Sequence, residues 1–589
     1  MSAFTDALRS AAASEAGMVT GEPHDPIRTT WAQVHAAAMT GARRLEVSGI
    51  GPGDSVAVLA AGPAEVAPVA QAAWLAGGSV TMLHQPTART NLATYAEETA
   101  GVLALINAKA MVLGDPFTEF AELLEGSGIH AFTVADLLGG ATPDNQIPEG
   151  IAEVSDVEIG EDLPALLQLT SGSTARPKAV QITHRNLWAN VQAMCASAGI
   201  HPGEVMVSWL PLFHDMGMVG FLTLPMCQGV ELITVTPREF LSAPLLWPTL
   251  ISKYRGTITA APNFAYALTA RVLARADGLD LSSMRFALNG AEPIDVGAVR
   301  AFLAAGARFG LSDNAVVPAY GMAEATLAIS FHPWGTPLKV DTVDALALEE
   351  QHSAVPVDGS APSEAEARPG ETSTGVTGTG ETSTGVTGTG ETSTGVTGTG
   401  ETRTFPVLGP PLNGIDVMVL GPDGEKCADR EVGVLHLRGD SVTDLYLTVE
   451  GPVPTRDPDG WLDTGDLGYL VDGEVVVCGR VKDVIIMGGR NIYPTDIERI
   501  AEQVQGVRAG NAVAVRWKTS SGRESFALAV ESREAGDDAK AKSIAAEVRT
   551  AVTSAIGARP AAVTVLPVGS LPKTPSGKLR RSAARSLIR

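Results

Sequence analysis

From Pro26 to about Pro333, short runs of β-branched and aliphatic residues alternate with longer Ala-rich stretches. SVAVLAAG at 55–62 reads as a buried strand, AEVAPVAQAAWLAGG after it as a helix, and SVTML at 79–83 as the next strand. Strands alternating with helices predict βαβ units and largely parallel sheets, so the fold class is α/β with a large N-terminal body. Downstream, FPVLGPPLNGIDVMVLGPDGE and REVGVLHLRGD are strand-length apolar runs broken by Gly, Pro and Asp turns. They predict a small β-rich subdomain over 403–481. The remainder predicts strands near 511–516 and 525–531, a helix over 537–556 and a basic tail. The expected organisation is a large domain over 1–481 and a smaller, mobile α+β lid over 482–589.

One stretch breaks this pattern. GETSTGVTGT is repeated three times in tandem from Gly370 to Thr399. Its Gly and Thr content offers almost nothing to bury and makes fixed structure costly in backbone entropy, so 370–402 is expected to be a flexible loop.

Charge and composition narrow the function. The 589 residues carry 43 Lys and Arg against 66 Asp and Glu, a formal charge of −23. That balance opposes capture of nucleic acid or an anionic bilayer. With 45% hydrophobic and 19% charged residues the chain can bury a core. Cys195, Cys227, Cys427 and Cys478 form no CxxC pair, which argues against a thiolate zinc site and suits a reducing, cytoplasmic setting. Nothing reaches the ~18 consecutive apolar residues of a spanning helix, so no stable membrane insertion is expected.

The strongest local chemistry lies in LLQLTSGSTARPKAVQITHRN, 166–186, where an apolar strand runs into hydroxyls and glycine closed by Lys178, and a helix is expected after Thr183. Small hydroxyl residues and Gly172 let donors surround a polyphosphate while Lys178 offsets its charge. It is not a Walker A sequence, because Pro177 stands where the glycine before the lysine should be. Standing alone, it would equally describe an ordinary Ser/Thr-rich turn.

It is followed by WLPLFHDMGMVG at 209–220, LNGAEPI at 288–294, YGMAEAT at 320–326, WLDTGDLGYL at 461–470, GRVKDVIIMGGRNIYPTDIE at 479–498 and LPKTPSGKLRR at 571–581. In type and order these resemble the motifs of the adenylate-forming superfamily, which includes acyl-CoA synthetases, fatty acyl-AMP ligases, luciferases and peptide-synthetase adenylation domains. The resemblance implies that Thr170, Ser171, Gly172, Ser173, Thr174 and Lys178 hold the β- and γ-phosphates of ATP. Gly290, Ala291 and Glu292 would line the adenine, Tyr320 would stack on it, and Gly321, Met322 and Ala323 would complete the nucleotide site. Glu324 would help bind Mg²⁺, and Asp466 with Arg480 would fix the ribose hydroxyls. Lys578 matches the adenylation lysine, a cation placed between two anionic reactants. Lys482 matches the hinge between the large domain and the lid. Without the resemblance, Lys578 would read as a solvated tail lysine and Lys482 as a surface lysine in a turn.

His214 and Asp215 lie among Trp209, Phe213, Met216, Met218, Phe221 and Met226. In the family this segment borders the acyl pocket with the histidine near the adenylate. His214 is expected to gate the ligand rather than act as a base, since a fatty carboxylate is already ionised at neutral pH. The methionines suit either an adaptable lipid pocket or plain core.

WLPLFHDMG, LNGAEP and GRNIYPTDIE look more like fatty acyl-AMP ligases than ordinary acyl-CoA synthetases. The stretch 331–405 resembles the position where those ligases carry an insertion that restrains the lid. The implied activity is conversion of a medium- or long-chain fatty acid and ATP to acyl-AMP and pyrophosphate, then acyl transfer to the phosphopantetheine thiol of an acyl carrier protein. Transfer to CoA is the alternative, and an inactive lipid- or nucleotide-binding module the alternative of another class. The basic tail from Lys573 to Arg589, including Arg580 and Arg581, is expected to favour docking of an acidic carrier protein. Ala175 and Ala179 depart from the glycines many relatives have there, which implies a stiffer phosphate loop.

Overall fold

The computed structural model describes residues 2–86, 91–124, 126–139, 158–170, 177–357, 363–364, 402–487, 490–519, 524–573 and 579–588. The repeat segment up to residue 401, the hydroxyl-rich turn 171–176 and Lys578 lie outside them.

Two eight-stranded sheets form the large body. One runs in the order Ala328–Phe331, Val316–Gly321, Phe286–Asn289, Ile258–Ala261, Val205–Ser208, Glu231–Thr234, Gly17–Thr20, Ile27–Thr30. Its interior pairs are parallel and both edge pairs antiparallel. The other runs Gly451–Pro454, Leu445–Thr448, Lys178–Thr183, Pro164–Thr170, Ser79–Met82, Ser55–Leu59, Ala108–Leu113, His130–Thr133. It is parallel from Pro164–Thr170 onward and antiparallel before it.

The strand, helix and strand expected over 55–83 are all present: Ser55–Leu59, Pro63–Leu75 and Ser79–Met82. Every residue from Val66 to Leu75 is buried, and the helix meets strands of both sheets. A helix apolar on all sides is the expected filling between two sheets. His184–Ala198 also lies against both. It starts at a reciprocal cap between Thr183 and Asn186 and stops at Gly199, whose φ of 59° suits a left-handed cap.

The β-rich unit is the antiparallel sheet Ile415–Leu420, Gly433–Gly439, Leu462–Val471, Glu474–Arg480. Beyond it, Ala512–Lys518, Glu524–Glu531 and Ala562–Leu566 form a three-stranded sheet. Helix Asp538–Ile556 covers it with Ile544, Val548, Val552 and Ile556, four-residue steps that make one apolar stripe. Phe526, Leu528, Ile497 and that stripe build a core separate from the main one.

The hydroxyl-rich segment joins two antiparallel strands, with Thr170 paired to Lys178, and the helix opens only after the second strand. The helix expected after Thr183 begins at His184, where the sequence places it. Val180, Ile182 and Ala179 bury so fully that the chain keeps its strand after the turn.

Candidate active site

In open α/β sheets ligands bind beyond the carboxyl ends of the parallel strands. Thr170, Asn289 and Gly321 each end such a strand, and the residues after them are the expected nucleotide-binding set. Gly290 and Ala291 make a turn in which Ala291 takes φ 68°, a left-handed conformation that a side-chain-bearing residue adopts at a cost. Glu292 caps helix Asn263–Leu273, its Oε1 accepting from the Phe264 amide at 2.6 Å. At Gly321 a Cβ would stand 2.1 Å from the Leu327 carbonyl oxygen, so only glycine fits there.

Past Gly321 and Met322 the chain makes a single 3₁₀ turn, Ala323–Ala325, carrying Glu324. Thr326 leaves that turn at φ 69° and ψ −54°, a genuine outlier for a β-branched residue. Two hydrogen bonds hold it: Thr326 Oγ1 donates to the Ser441 carbonyl at 2.7 Å, and the Thr443 amide donates to the Glu324 carbonyl at 2.9 Å. The turn that presents Glu324 is thereby tied to the segment leading into strand Leu445–Thr448.

Two polar clusters result. In the first, Glu324, 8% exposed, lies 3.6 Å from Lys178 Nζ and accepts a 2.6 Å hydrogen bond from the Tyr446 hydroxyl. In the second, Tyr320 Oη donates to Asp466 Oδ2 at 2.7 Å while Arg480 Nε lies 2.9 Å from Asp466 Oδ1. Thr464 Oγ1 accepts from the Asp466 amide and donates to the Leu435 carbonyl, fixing the carboxylate's base. Burial raises the Asp466 carboxyl above its ordinary range against the pull of Arg480, and Glu324 adds repulsion. That repulsion places the two clusters within electrostatic reach of each other. Desolvation lowers the Lys482 ammonium, with Arg480 as its next cause and Lys178 among the rest. The structure thus brings Lys178, Tyr320, Glu324, Asp466, Arg480 and Lys482 into one neighbourhood.

His214 Nδ1 lies 2.6 Å from Asp215 Oδ1, on the segment entering the buried π-helix Met216–Thr223. Gln168 Nε2 donates to the Phe213 carbonyl at 2.9 Å, which ties that segment to the strand ending at Thr170. His84 packs edge-on against Phe213, and burial, then His214, lowers its imidazole pKa. Met218 and Met226 belong to the main core, 0% and 1% exposed. Of the two readings open for those methionines, the structure supports core.

Lys573 pairs with Leu579 in a short antiparallel bridge on either side of 574–578. Lys573 feels the carboxylate of Glu292, and Glu502 that of Asp295, so this edge of the C-terminal unit faces the turn after Asn289. Ser171, Gly172, Ser173, Thr174 and Lys578 lie outside the described residues.

The basic tail needs correction. Arg581 donates to Glu498 Oε2 at 2.6 Å and Oε1 at 3.1 Å, with Asp483 at 3.4 Å. Glu498 is 8% exposed, so Arg581 is a structural partner of a buried carboxylate and not a docking residue. Arg580 and Arg585 are exposed.

Several contacts carry no clear sequence signal. Tyr446 reads as one more apolar residue in DLYLTVE. Stretch 331–405 meets the C-terminal unit through Arg403 and Asp496 at 2.7 Å, Glu349 and Arg490 at 2.6 Å, and His352 and Asn491 at 2.8 Å. Spacing along the chain gives no pointer to these pairs, since Glu349 and Arg490 lie 141 positions apart.

Residues 9–347 match the AMP-binding enzyme family and residues 489–584 the AMP-binding enzyme C-terminal domain. The chain is 49% identical to Rv1013 of Mycobacterium tuberculosis, a protein named as a ligase, with 100% of each covered. It is 30% identical to the medium-chain-fatty-acid–[acyl-carrier-protein] ligase JamA of Moorena producens, over 82% of this chain and 77% of that one. A solved structure from work on fatty acyl-adenylate ligases of E. coli and L. pneumophila superposes with a TM-score of 0.81 at 30% identity, covering 99% of this chain and 97% of that one. The strand-end turns, the paired clusters and these matches agree: the chain belongs to the AMP-binding, adenylate-forming enzyme family, on its fatty acyl-AMP ligase branch.

Proposed function

We propose that the protein activates a medium- or long-chain fatty acid as its acyl-adenylate and passes the acyl group to the phosphopantetheine thiol of an acyl carrier protein. The observation that carries the adenylation half is the convergence of Lys178, Glu324, Tyr320, Asp466 and Arg480 beyond the strand ends.

In the first step a carboxylate oxygen of the fatty acid attacks the α-phosphorus of ATP. The new acyl–O–P bond forms as the bond to pyrophosphate breaks. Two anions must meet, so cations dominate the design. Lys178 would neutralise the leaving phosphates, and Lys578 would bridge the carboxylate and the α-phosphate. Asp466 and Arg480 would hold the ribose, with Tyr320 on the adenine. Glu324 fits Mg²⁺: it is nearly buried, and among the described residues its Oε2 carries no hydrogen bond. One carboxylate suffices for an ion held chiefly by substrate phosphates. When bound, Mg²⁺ would neutralise charge on the departing pyrophosphate.

In the second step the thiol sulfur bonds to the acyl carbon, the bond to AMP oxygen breaks, and the thiol proton passes to solvent. The lid over 482–589 would pivot at Lys482, withdrawing Lys578 and opening a path for the thiol. Support for a carrier rather than free CoA comes from the motif forms and from the contacts of stretch 331–405 with the C-terminal unit. Among the described residues no helix is long and apolar enough to cross a membrane, in keeping with a cytoplasmic enzyme.

The test is to offer C8 to C18 acids, ATP and Mg²⁺ with either CoA or a holo carrier protein, and to identify the thioester by mass spectrometry. The acyl thioester of the carrier protein is expected as the main product. Acyl-CoA formed at an equal or faster rate would reverse the assignment of the acceptor.

A further inference from the structure

Lys178 and Glu324 are opposite charges with half-buried and nearly buried side chains, yet they stand 3.6 Å apart, short of a contact ion pair. Tyr446 accounts for the gap. Its hydroxyl donates to Glu324 Oε1, the oxygen that faces Lys178, and its ring lies under Lys178 with Nζ 3.6 Å from the centroid. The ammonium is thus shared between a ring face and a carboxylate whose near oxygen already has a donor.

This placement is built in by the fold. Strand Leu445–Thr448 pairs antiparallel with Lys178–Thr183, and Tyr446 lies opposite Val180. Lys178 and Val180 share one face of their strand, so Tyr446 is the diagonal neighbour of Lys178. From the other side, Thr326 to Ser441 and Thr443 to Glu324 bind the segment just before Tyr446 to the Glu324 turn. The same short segment therefore fixes Tyr446 against both charged groups.

We infer that Tyr446 is a positioning residue for nucleotide capture, keeping Lys178 and Glu324 from collapsing onto each other so that each can receive its part of the triphosphate and its divalent cation. Without the hydroxyl, Glu324 would draw Lys178 into a contact pair, which ATP would have to break on binding. This rests on the adenylation chemistry above but assigns a residue outside the expected set.

The test compares wild type, Tyr446→Phe and Tyr446→Leu by calorimetric titration with ATP, with and without Mg²⁺ and with no fatty acid present, alongside Tm and the KM values for ATP and acid. Tyr446→Phe should weaken ATP·Mg²⁺ binding and raise the ATP KM about tenfold, the scale of a lost hydrogen bond to a charged acceptor. Its acid KM and Tm should stay at the wild-type values. Tyr446→Leu should also weaken ATP binding without Mg²⁺, because Lys178 loses its ring support. Wild-type ATP binding in Tyr446→Phe, or a parallel fall in Tm and both KM values, would overturn the inference. Failure of wild type itself to bind ATP would overturn the functional reading as well, and is told apart by that control.

Discussion

Tyr320 and Asp466, 146 positions apart in the chain, meet through a 2.7 Å hydrogen bond. The bond joins the end of a parallel-sheet strand to the β-rich unit, so the ribose site proposed there would form only once both have folded.

Asp466→Asn keeps the shape of that side chain but removes the charge opposite Arg480. Hydrogen bonds to charged groups contribute about 1.5–3 kcal/mol, so the ATP KM should rise roughly 10- to 100-fold, with Tyr320→Phe giving a smaller increase. Pyrophosphate exchange at varied ATP measures this. An unchanged ATP KM in Asp466→Asn would remove the carboxylate from the nucleotide site.

Arg403 is buried between the Phe405 and Tyr493 rings, 4.8 and 4.2 Å from their centroids, and pairs with Asp496. Breaking a buried pair from one side costs about 3–5 kcal/mol, so Arg403→Ala should lower the Tm of the C-terminal unit. Glu349 is buried and holds the partly exposed Arg490 through Oε2, but Glu349→Gln keeps the side chain's shape and an oxygen acceptor, so it should cost less stability than Arg403→Ala. If these contacts restrain the lid, Glu349→Gln raises the ratio of acyl-CoA to acyl carrier protein formed in a competition assay. A ratio equal to that of wild type would free stretch 331–405 of that role.

His184 is fully enclosed beneath the N-terminal helix, its Nδ1 2.9 Å from Ser2 Oγ, and burial lowers its pKa to about 4. The unfolded chain binds a proton near the ordinary value of about 6.5 that the native state refuses. The group's contribution is therefore complete above pH 6.5 and is lost as pH falls toward 4, amounting to roughly 3 kcal/mol. Denaturant titrations between pH 7 and 4.5 should show a steeper loss in wild type than in His184→Gln. Parallel curves would contradict a neutral buried imidazole.

Much of this was legible in the sequence, for identifiable reasons. The alternation over 55–83 has one arrangement that buries its apolar residues, and the strands and helix form there. Helix Asp538–Ile556 announced itself by its stripe and by Asp537 ahead of it, which caps the Ala539 and Lys540 amides. Tyr446 was hidden because an antiparallel edge pairing, not local spacing, brings it to Lys178. Arg581 looked like a free tail charge because nothing near it in sequence shows that Glu498 waits 83 positions upstream. Sequence signals chemistry best where neighbours in the chain share the work.

The most direct measurement is release of pyrophosphate, with acyl-AMP identified by mass, on mixing the protein with a C8 to C18 acid, ATP and Mg²⁺, set beside Lys578→Ala. Acid-dependent pyrophosphate and acyl-AMP are expected from wild type, with the rate lower by about 10² or more in the variant. No acid-dependent pyrophosphate from wild type across that range, or an unaltered rate in Lys578→Ala, would contradict it.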